Sequence, residues 1–119
     1  MITIPLDPAP PYNTMKGRIV VFCVNVQPGA NPLSILSHEF GHWLNLSHTW
    51  GPTNEPAVAS NCNFDDNVSD TPDTEGQTSC SGSRITCGSV DNVENHMDYT
   101  SCARMFTLGQ ASRMQSASN

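Results

Sequence analysis

Three of the chain's four histidines fall in one run, His38-Glu39-Phe40-Gly41-His42-Trp43-Leu44-Asn45-Leu46-Ser47-His48. The run all but fits H-E-x-x-H-x-x-G-x-x-H, and each spacing has a mechanical reason. On a helix, His38 and His42 stand one turn apart on one face, so both imidazoles can reach one ion at about 2.0–2.1 Å. Glu39 lies beside the first of them, placed to take a proton from water activated by the metal. His48 comes six residues after His42, too far round a continuing helix to share its face, so the chain has to turn between them. Position 45, where that turn falls, carries Asn instead of Gly. The need there is a backbone with φ > 0, and Asn is the next-best occupant of the left-handed region, at a cost of about 1 kcal/mol or less. A chance H-E-x-x-H on an amphipathic helix does not explain why the chain's few histidines are concentrated here.

The elements that must carry these residues are readable in part. Arg18 to Val26 (RIVVFCVNV) is a nearly continuous β-branched run and reads as a buried strand. It follows a proline-rich arm over residues 5–13, and Gln27-Pro28-Gly29-Ala30 reads as a turn. Asn31 then reads as an N-cap with Pro32 at the first helical position, opening a helix to about Leu44. Apolar residues at 33, 36, 40, 43 and 44 give that helix an expected core-facing stripe. From Thr49 to about Ser101 no helical period appears, so disulfides and bound ions are expected to supply the order there. Thr107-Leu108-Gly109-Gln110 has the form of a capping box, which starts a short C-terminal helix at 107.

Composition narrows the class. A chain of 119 residues is one domain at most, and an apolar fraction of 37% with 13% charged residues describes a loop-rich protein with a modest core. Such cores need a metal or disulfides as staples. The net charge of −6, with five Lys plus Arg, leaves no basic cluster for nucleic acid and disfavours anionic membranes. No stretch is long enough to span a bilayer. Cysteines stand at 23, 62, 80, 87 and 102, with no C-x-x-C pair. The last four lie in loop-like sequence and read as two disulfides, hence an oxidising compartment, with three pairings open. Cys23 reads as a buried thiol in the strand. The start, Met1-Ile2-Thr3-Ile4-Pro5, has neither the basic nor the apolar region of a signal peptide. The chain is therefore expected to be a fragment of a secreted protein, in preference to a mature region with a start methionine added.

Asp65-Asp66-Asn67-Val68-Ser69-Asp70-Thr71-Pro72-Asp73 packs four carboxylates into nine residues, a composition that suits either a solvated loop or a calcium site. It is no EF-hand, because its sixth position is Asp70 where Gly is required. Asp66, Asp70 and Thr71 are the expected ligands.

The run HEFGHWLNLSHTWG, followed in order by DDNVSDTPDT, NHMDY and MFTLGQASRM, resembles the metzincin zinc endopeptidases, and within them the pappalysin/cytophagalysin branch of bacterial secreted type. The resemblance covers roughly residues 34–114. It implies an α+β, metzincin-like zincin domain with an active-site helix, a Met-turn and a C-terminal helix, and the few residues before that helix make its upper sheet an expected reduced or truncated one. Residues 1–119 would then be a single, partial catalytic domain acting as a monomer on a protein or peptide substrate. Asn95-His96-Met97-Asp98-Tyr99 matches the family's Met-turn, so Met97 would be the apolar floor beneath the three imidazoles. Tyr99 matches a tyrosine that stabilises the oxyanion of the reaction. His96 stands where relatives often have tyrosine, and is expected behind the ligands or toward solvent. The family's disulfides, mapped by order, imply Cys62–Cys87 and Cys80–Cys102, and its structural calcium favours the calcium reading of the acidic segment.

The expected function is thus hydrolysis of peptide bonds by a zinc metalloendopeptidase. Zinc is held by His38, His42 and His48, Glu39 is the general base, and calcium is a possible structural ion. Some relatives prefer a basic residue at the cut through an acidic pocket residue, for which this chain offers Asp98 or Asp91. In the family an edge strand of the upper sheet pairs with the substrate, yet only about 30 residues precede the active-site helix here. The alternative is therefore a secreted zinc-binding module, weak or inactive because its substrate-binding upper half is truncated. A third reading, a disulfide-rich binding domain with an accidental motif, requires no stoichiometric zinc.

Overall fold

The computed structural model describes residues 32–81 and 83–118. The arm over 5–13, the strand over 18–26 with Cys23, the turn at 27–30 and the Asn31 cap lie outside the described residues.

The first element is helix α1, Pro32–Trp43, with proline at its first position as the sequence predicts. It ends one residue short of the expected limit, in a turn whose geometry follows from Asn45. That residue has φ 75°, and the N–H groups of Asn45 and Leu46 donate to the carbonyls of His42 and Gly41 at 3.0 and 2.8 Å. This is the Schellman arrangement, in which a left-handed residue satisfies the last carbonyls of a helix. The expected apolar stripe is not the buried face of α1. His38, Glu39 and Gly41 are buried, whereas Leu36, Phe40 and Leu44 are half-buried and Trp43 is 45% exposed. His38 and Gly41 on the buried face meet the His96 carbonyl and the Met97 side chain.

Residues 44–107 are held with little regular structure. A short 3-10 helix spans Ala59–Asn63, and strands β1 (Ile85–Thr86) and β2 (Ser89–Val90) form an antiparallel hairpin. Its two-residue turn is Cys87-Gly88, with φ of 51° and 83°. Positive φ at both central positions matches the twist of a hairpin, and glycine at the second makes it cheap. The sequence reading assigned no element here, because two-residue strands show no alternation.

Buried polar side chains replace the missing ladders. Asn61 Nδ2 donates to the carbonyls of Glu55 and Glu75 at 2.8 and 2.9 Å. Thr86 Oγ1 donates to Asp91 Oδ1 at 2.7 Å, and Gln77 Nε2 donates to Asp91 Oδ2 at 2.7 Å. Asp98 Oδ1 accepts from the N–H groups of Gln77 and Tyr99 at 2.8 and 2.9 Å. Each such bond contributes only about 1 kcal/mol net, but leaving its buried partner unpaired costs more, so the network specifies the loop paths. The apolar core among the described residues is small: Leu46, Trp50, Val68, Val93, Met97 and Ala103. Two disulfides supplement it. Cys62–Cys87 ties the 3-10 helix to the hairpin turn and Cys80–Cys102 ties the middle loop to the chain just past Tyr99, with Cα separations of 5.4 and 5.9 Å.

Helix α2, Leu108–Ser118, opens on a capping box. Gln110 N–H donates to Thr107 Oγ1 at 3.1 Å and Thr107 N–H donates to Gln110 Oε1 at 2.9 Å. The Asp70 carboxylate adds a cap from a distant loop, accepting from Gly109 N–H at 2.9 Å. α2 is also tied to the end of α1, where Arg113 Nε donates to the Asn45 carbonyl at 2.7 Å. A cation at a helix C-terminus offsets the partial negative charge there. No helix among the described residues is long and apolar enough to cross a membrane.

Candidate metal centre

α1 sets His38 and His42 one turn apart, and the turn at Asn45 brings the chain back so that His48 faces them. Nε2 of His42 lies 3.1 Å from Nε2 of His38 and 3.1 Å from Nε2 of His48. The other nitrogen of each ring faces a backbone carbonyl: His38 Nδ1 that of His96 at 2.5 Å, His42 Nδ1 that of Leu46 at 2.8 Å, and His48 Nδ1 that of Thr53 at 2.9 Å. A carbonyl can only accept, so each Nδ1 carries a proton and each neutral ring directs a bare Nε2 lone pair inward. Burial keeps the rings neutral. It lowers the pKa of His38 to about 3 and that of His48 to about 4, with His42 as the next cause in each.

Three converging lone pairs repel one another unless a cation lies between them. A tetrahedral zinc with nitrogens at about 2.0–2.1 Å separates them by about 3.3 Å. The observed spacings fit that donor set. Among the described residues, His38, His42 and His48 form the one group of three or more His, Cys, Asp or Glu able to hold a metal.

The floor beneath α1 is Met97, which is fully buried. A Cβ on Gly41 would collide with Met97 Sδ and come within 3.4 Å of Leu46 Cδ1. Glycine inside the helix therefore lets the methionine approach the backbone between the two helical histidines. Met97 N–H donates to Asn95 Oδ1 at 2.9 Å and its carbonyl accepts from Thr49 N–H at 3.2 Å, which fixes the turn against the segment after His48. Glu39 is buried on α1 next to His38. Tyr99 stands at the open side, 42% exposed, its ring 5.4 Å from that of His38 and 4.9 Å from that of His48.

His96 takes the place expected behind the ligands. Its carbonyl holds His38, while its ring packs 4.8 Å from Phe106 and has its pKa lowered by burial. Asp91 and Asp98, the two acidic residues considered for substrate recognition, are buried in the loop network described above. The acidic segment is also engaged by the protein. Thr71 Oγ1 donates to Asp66 at 2.8 and 2.6 Å, Val68 N–H adds a bond at 3.1 Å, and Asp70 turns away to cap α2. Burial raises the Asp66 carboxyl to about 6.

Trp50 was not singled out from sequence. It is buried and stacks on His48 with ring centroids 4.3 Å apart and planes 11° from parallel. An aromatic residue two positions past the third histidine was the available signal.

An H-E-x-x-H helix, a third histidine brought back by a left-handed turn, a methionine beneath and a capped C-terminal helix define an α+β, metzincin-like fold. The chain belongs to the peptidase M43 family, described as pregnancy-associated plasma protein-A, whose pattern matches residues 18–119. It is similar to Extracellular metalloprotease 1 of Coccidioides posadasii, with 41% identity over 86 residues, covering 67% of this chain and 28% of that protein. An extracellular metalloprotease of Arthroderma otae is 40% identical, covering 68% of this chain and 30% of the relative. The chain therefore spans under a third of the length of these relatives. Among solved structures it resembles mature mirolysin of Tannerella forsythia in complex with a cleaved peptide. That match has a TM-score of 0.59 and 35% identity, and covers 70% of this chain and 32% of that one.

Proposed function

We propose that residues 1–119 form a single, partial catalytic domain of a zinc-dependent endopeptidase. The observation that carries this reading is the convergence of three Nε2 lone pairs, each fixed by a carbonyl on the opposite ring nitrogen. Zinc held by His38, His42 and His48 would supply Lewis acidity there and would lower the pKa of a water toward about 7. Glu39, next to His38, would hold the proton taken from the attacking water and return it to the leaving amine. Tyr99, on the exposed side of the triad, donates its phenol O–H to the developing oxyanion. Met97, buried against Gly41, would be the apolar floor on that side of α1. The neutrality of His38 and His48 serves ligation, since a protonated ring has no lone pair to offer.

The substrate we propose is a protein or peptide outside the cell. Support comes from relatives named extracellular metalloproteases, from the two disulfides, and from a structural neighbour in complex with a cleaved peptide. Of the expected calcium ligands Asp66, Asp70 and Thr71, Asp70 is engaged at the start of α2, so the subordinate proposal is a calcium held at Asp66 and Thr71, supported by the buried Asp66 carboxylate, and calorimetric titration of native chain against Asp66→Asn reads it.

The test is zinc content measured together with peptide cleavage, with and without a chelator. One zinc per chain and chelator-sensitive cleavage are expected. Glu39→Ala is expected to keep the zinc and lose cleavage by about 10²–10⁴-fold. One zinc without cleavage in the native chain would favour the zinc-binding module. No stoichiometric zinc would sink both.

A further inference from the structure

Thr53, itself half-buried, is the hub of a chain of hydrogen bonds that ends on the third histidine. Its carbonyl accepts from His48 Nδ1 at 2.9 Å and from Trp50 Nε1 at 2.8 Å, which uses both lone pairs. Trp50 Nε1 also reaches Thr53 Oγ1 at 3.0 Å, and that hydroxyl donates to Asn61 Oδ1 at 2.8 Å. Asn61 is itself anchored on its other side by the bonds from Nδ2 to the carbonyls of Glu55 and Glu75. It is buried, as is Trp50, and its neighbour Cys62 is bonded to Cys87. Gly76, at φ +87°, lies against the indole, where a Cβ would come within 2.6 Å of Cε3. Trp50 is thus closed in on one face by His48 and, at Cε3 and Cδ2, by Gly76.

His38 and His42 have their positions set by α1, a rigid element. His48 has no helix beneath it. Its ring is oriented by the Thr53 carbonyl and the Trp50 face, and both depend on where Asn61 holds Thr53. Groups that orient a ligand imidazole through its far nitrogen change metal affinity by about 10–100-fold when lost.

We propose that Asn61 is a positioning residue for the metal centre, acting through Thr53 and Trp50 to place the His48 imidazole. The inference rests on the triad being a metal site. Asn61 touches neither the metal nor any substrate in this role.

The test uses the full chain and zinc alone, with affinity read by chelator competition and coordination read from the visible spectrum of the cobalt(II)-loaded protein. Asn61→Ala is expected to lower zinc affinity by about 10–100-fold and to shift the cobalt bands. Thr53→Val, which keeps the carbonyl and removes only the hydroxyl link, is expected to do the same to a smaller extent. In a His48→Ala background Asn61→Ala is expected to cause no further loss, whereas a purely structural role would add its effect. Native affinity and spectrum in folded Asn61→Ala would overturn the proposal. Should that variant fail to fold, Thr53→Val decides, and a native affinity in it has the same consequence. A native chain that takes up no zinc would remove the metal-site reading itself, a result distinct from a zinc-loaded native chain with an indifferent Asn61 variant.

Discussion

Asn95 and Gln110 exchange amide hydrogen bonds in the interior. Asn95 Nδ2 donates to Gln110 Oε1 at 2.7 Å, and Gln110 Nε2 donates to Asn95 Oδ1 at 3.1 Å. The same two oxygens serve the backbone on either side. Asn95 Oδ1 accepts from Met97 N–H and Gln110 Oε1 accepts from Thr107 N–H, each at 2.9 Å. The pair therefore joins the turn that carries Met97 to the capping box that starts α2. Neither side chain is exposed to solvent.

Gln110→Ala removes both the amide pair and half of the capping box, and leaves Asn95 with an unsatisfied buried amide. The expected loss is about 3 kcal/mol of unfolding free energy, from the orphaned group and the cap together. Urea denaturation of the metal-free chain measures it, and a loss below about 1 kcal/mol would contradict the role assigned to the pair.

Gly41→Ala sets helix propensity against packing. Alanine inside a helix ordinarily gains about 0.5–1 kcal/mol over glycine. Here the new Cβ meets Met97 Sδ, and Met97 is fully buried, so its side chain has to shift within the interior. Overpacking of that kind costs about 1–3 kcal/mol, so the contact wins and the variant is destabilised. A thermal melt with a raised midpoint would refute this.

Asn45 tests the turn that delivers His48. Asn45→Gly should be within about 0.5 kcal/mol of the native chain or more stable, because glycine takes φ 75° with less strain. Asn45→Val should lose about 1–2 kcal/mol and weaken zinc binding, since a β-branched residue resists the left-handed region. Equal zinc affinity in the two variants would show that the turn does not govern His48.

Asp98 gives a pH dependence with a definite sign. Burial raises its carboxyl from the ordinary 3.8 to about 6. The folded chain then binds more protons at this group than the unfolded chain between those values. Its contribution favours folding below about 3.8 and is lost as pH rises through about 6. Asp98→Asn keeps an acceptor oxygen for Gln77 and Tyr99 and removes the desolvated charge. Its stability relative to the native chain, both metal-free, should improve from pH 4 to pH 7. The acid titration of His38 and His48 is common to both proteins and cancels in the comparison. A difference that does not vary with pH would refute the assignment.

Local spacing was legible in the sequence because a helix converts it directly into geometry. His38 and His42 on one face, the left-handed turn at Asn45, Pro32 at the first helical position and the box at Thr107–Gln110 all follow from residues within six positions of one another. The acidic segment was legible only as a composition, and the disulfide pairing only through family resemblance. The tertiary structure alone decided which atoms hold the site in place. The imidazoles are oriented by carbonyls of His96, Leu46 and Thr53, and a carbonyl is the same in every residue, so it leaves no mark in the sequence. Gly41 accommodating Met97, Trp50 stacking on His48, Asp70 capping α2 and Asn95 pairing with Gln110 likewise depend on chain paths through loops that have no period to read. The sequence determined that a metal could be bound and by which three rings. The fold decided how rigidly those rings are held, because that depends on contacts between segments that meet only when the loops close.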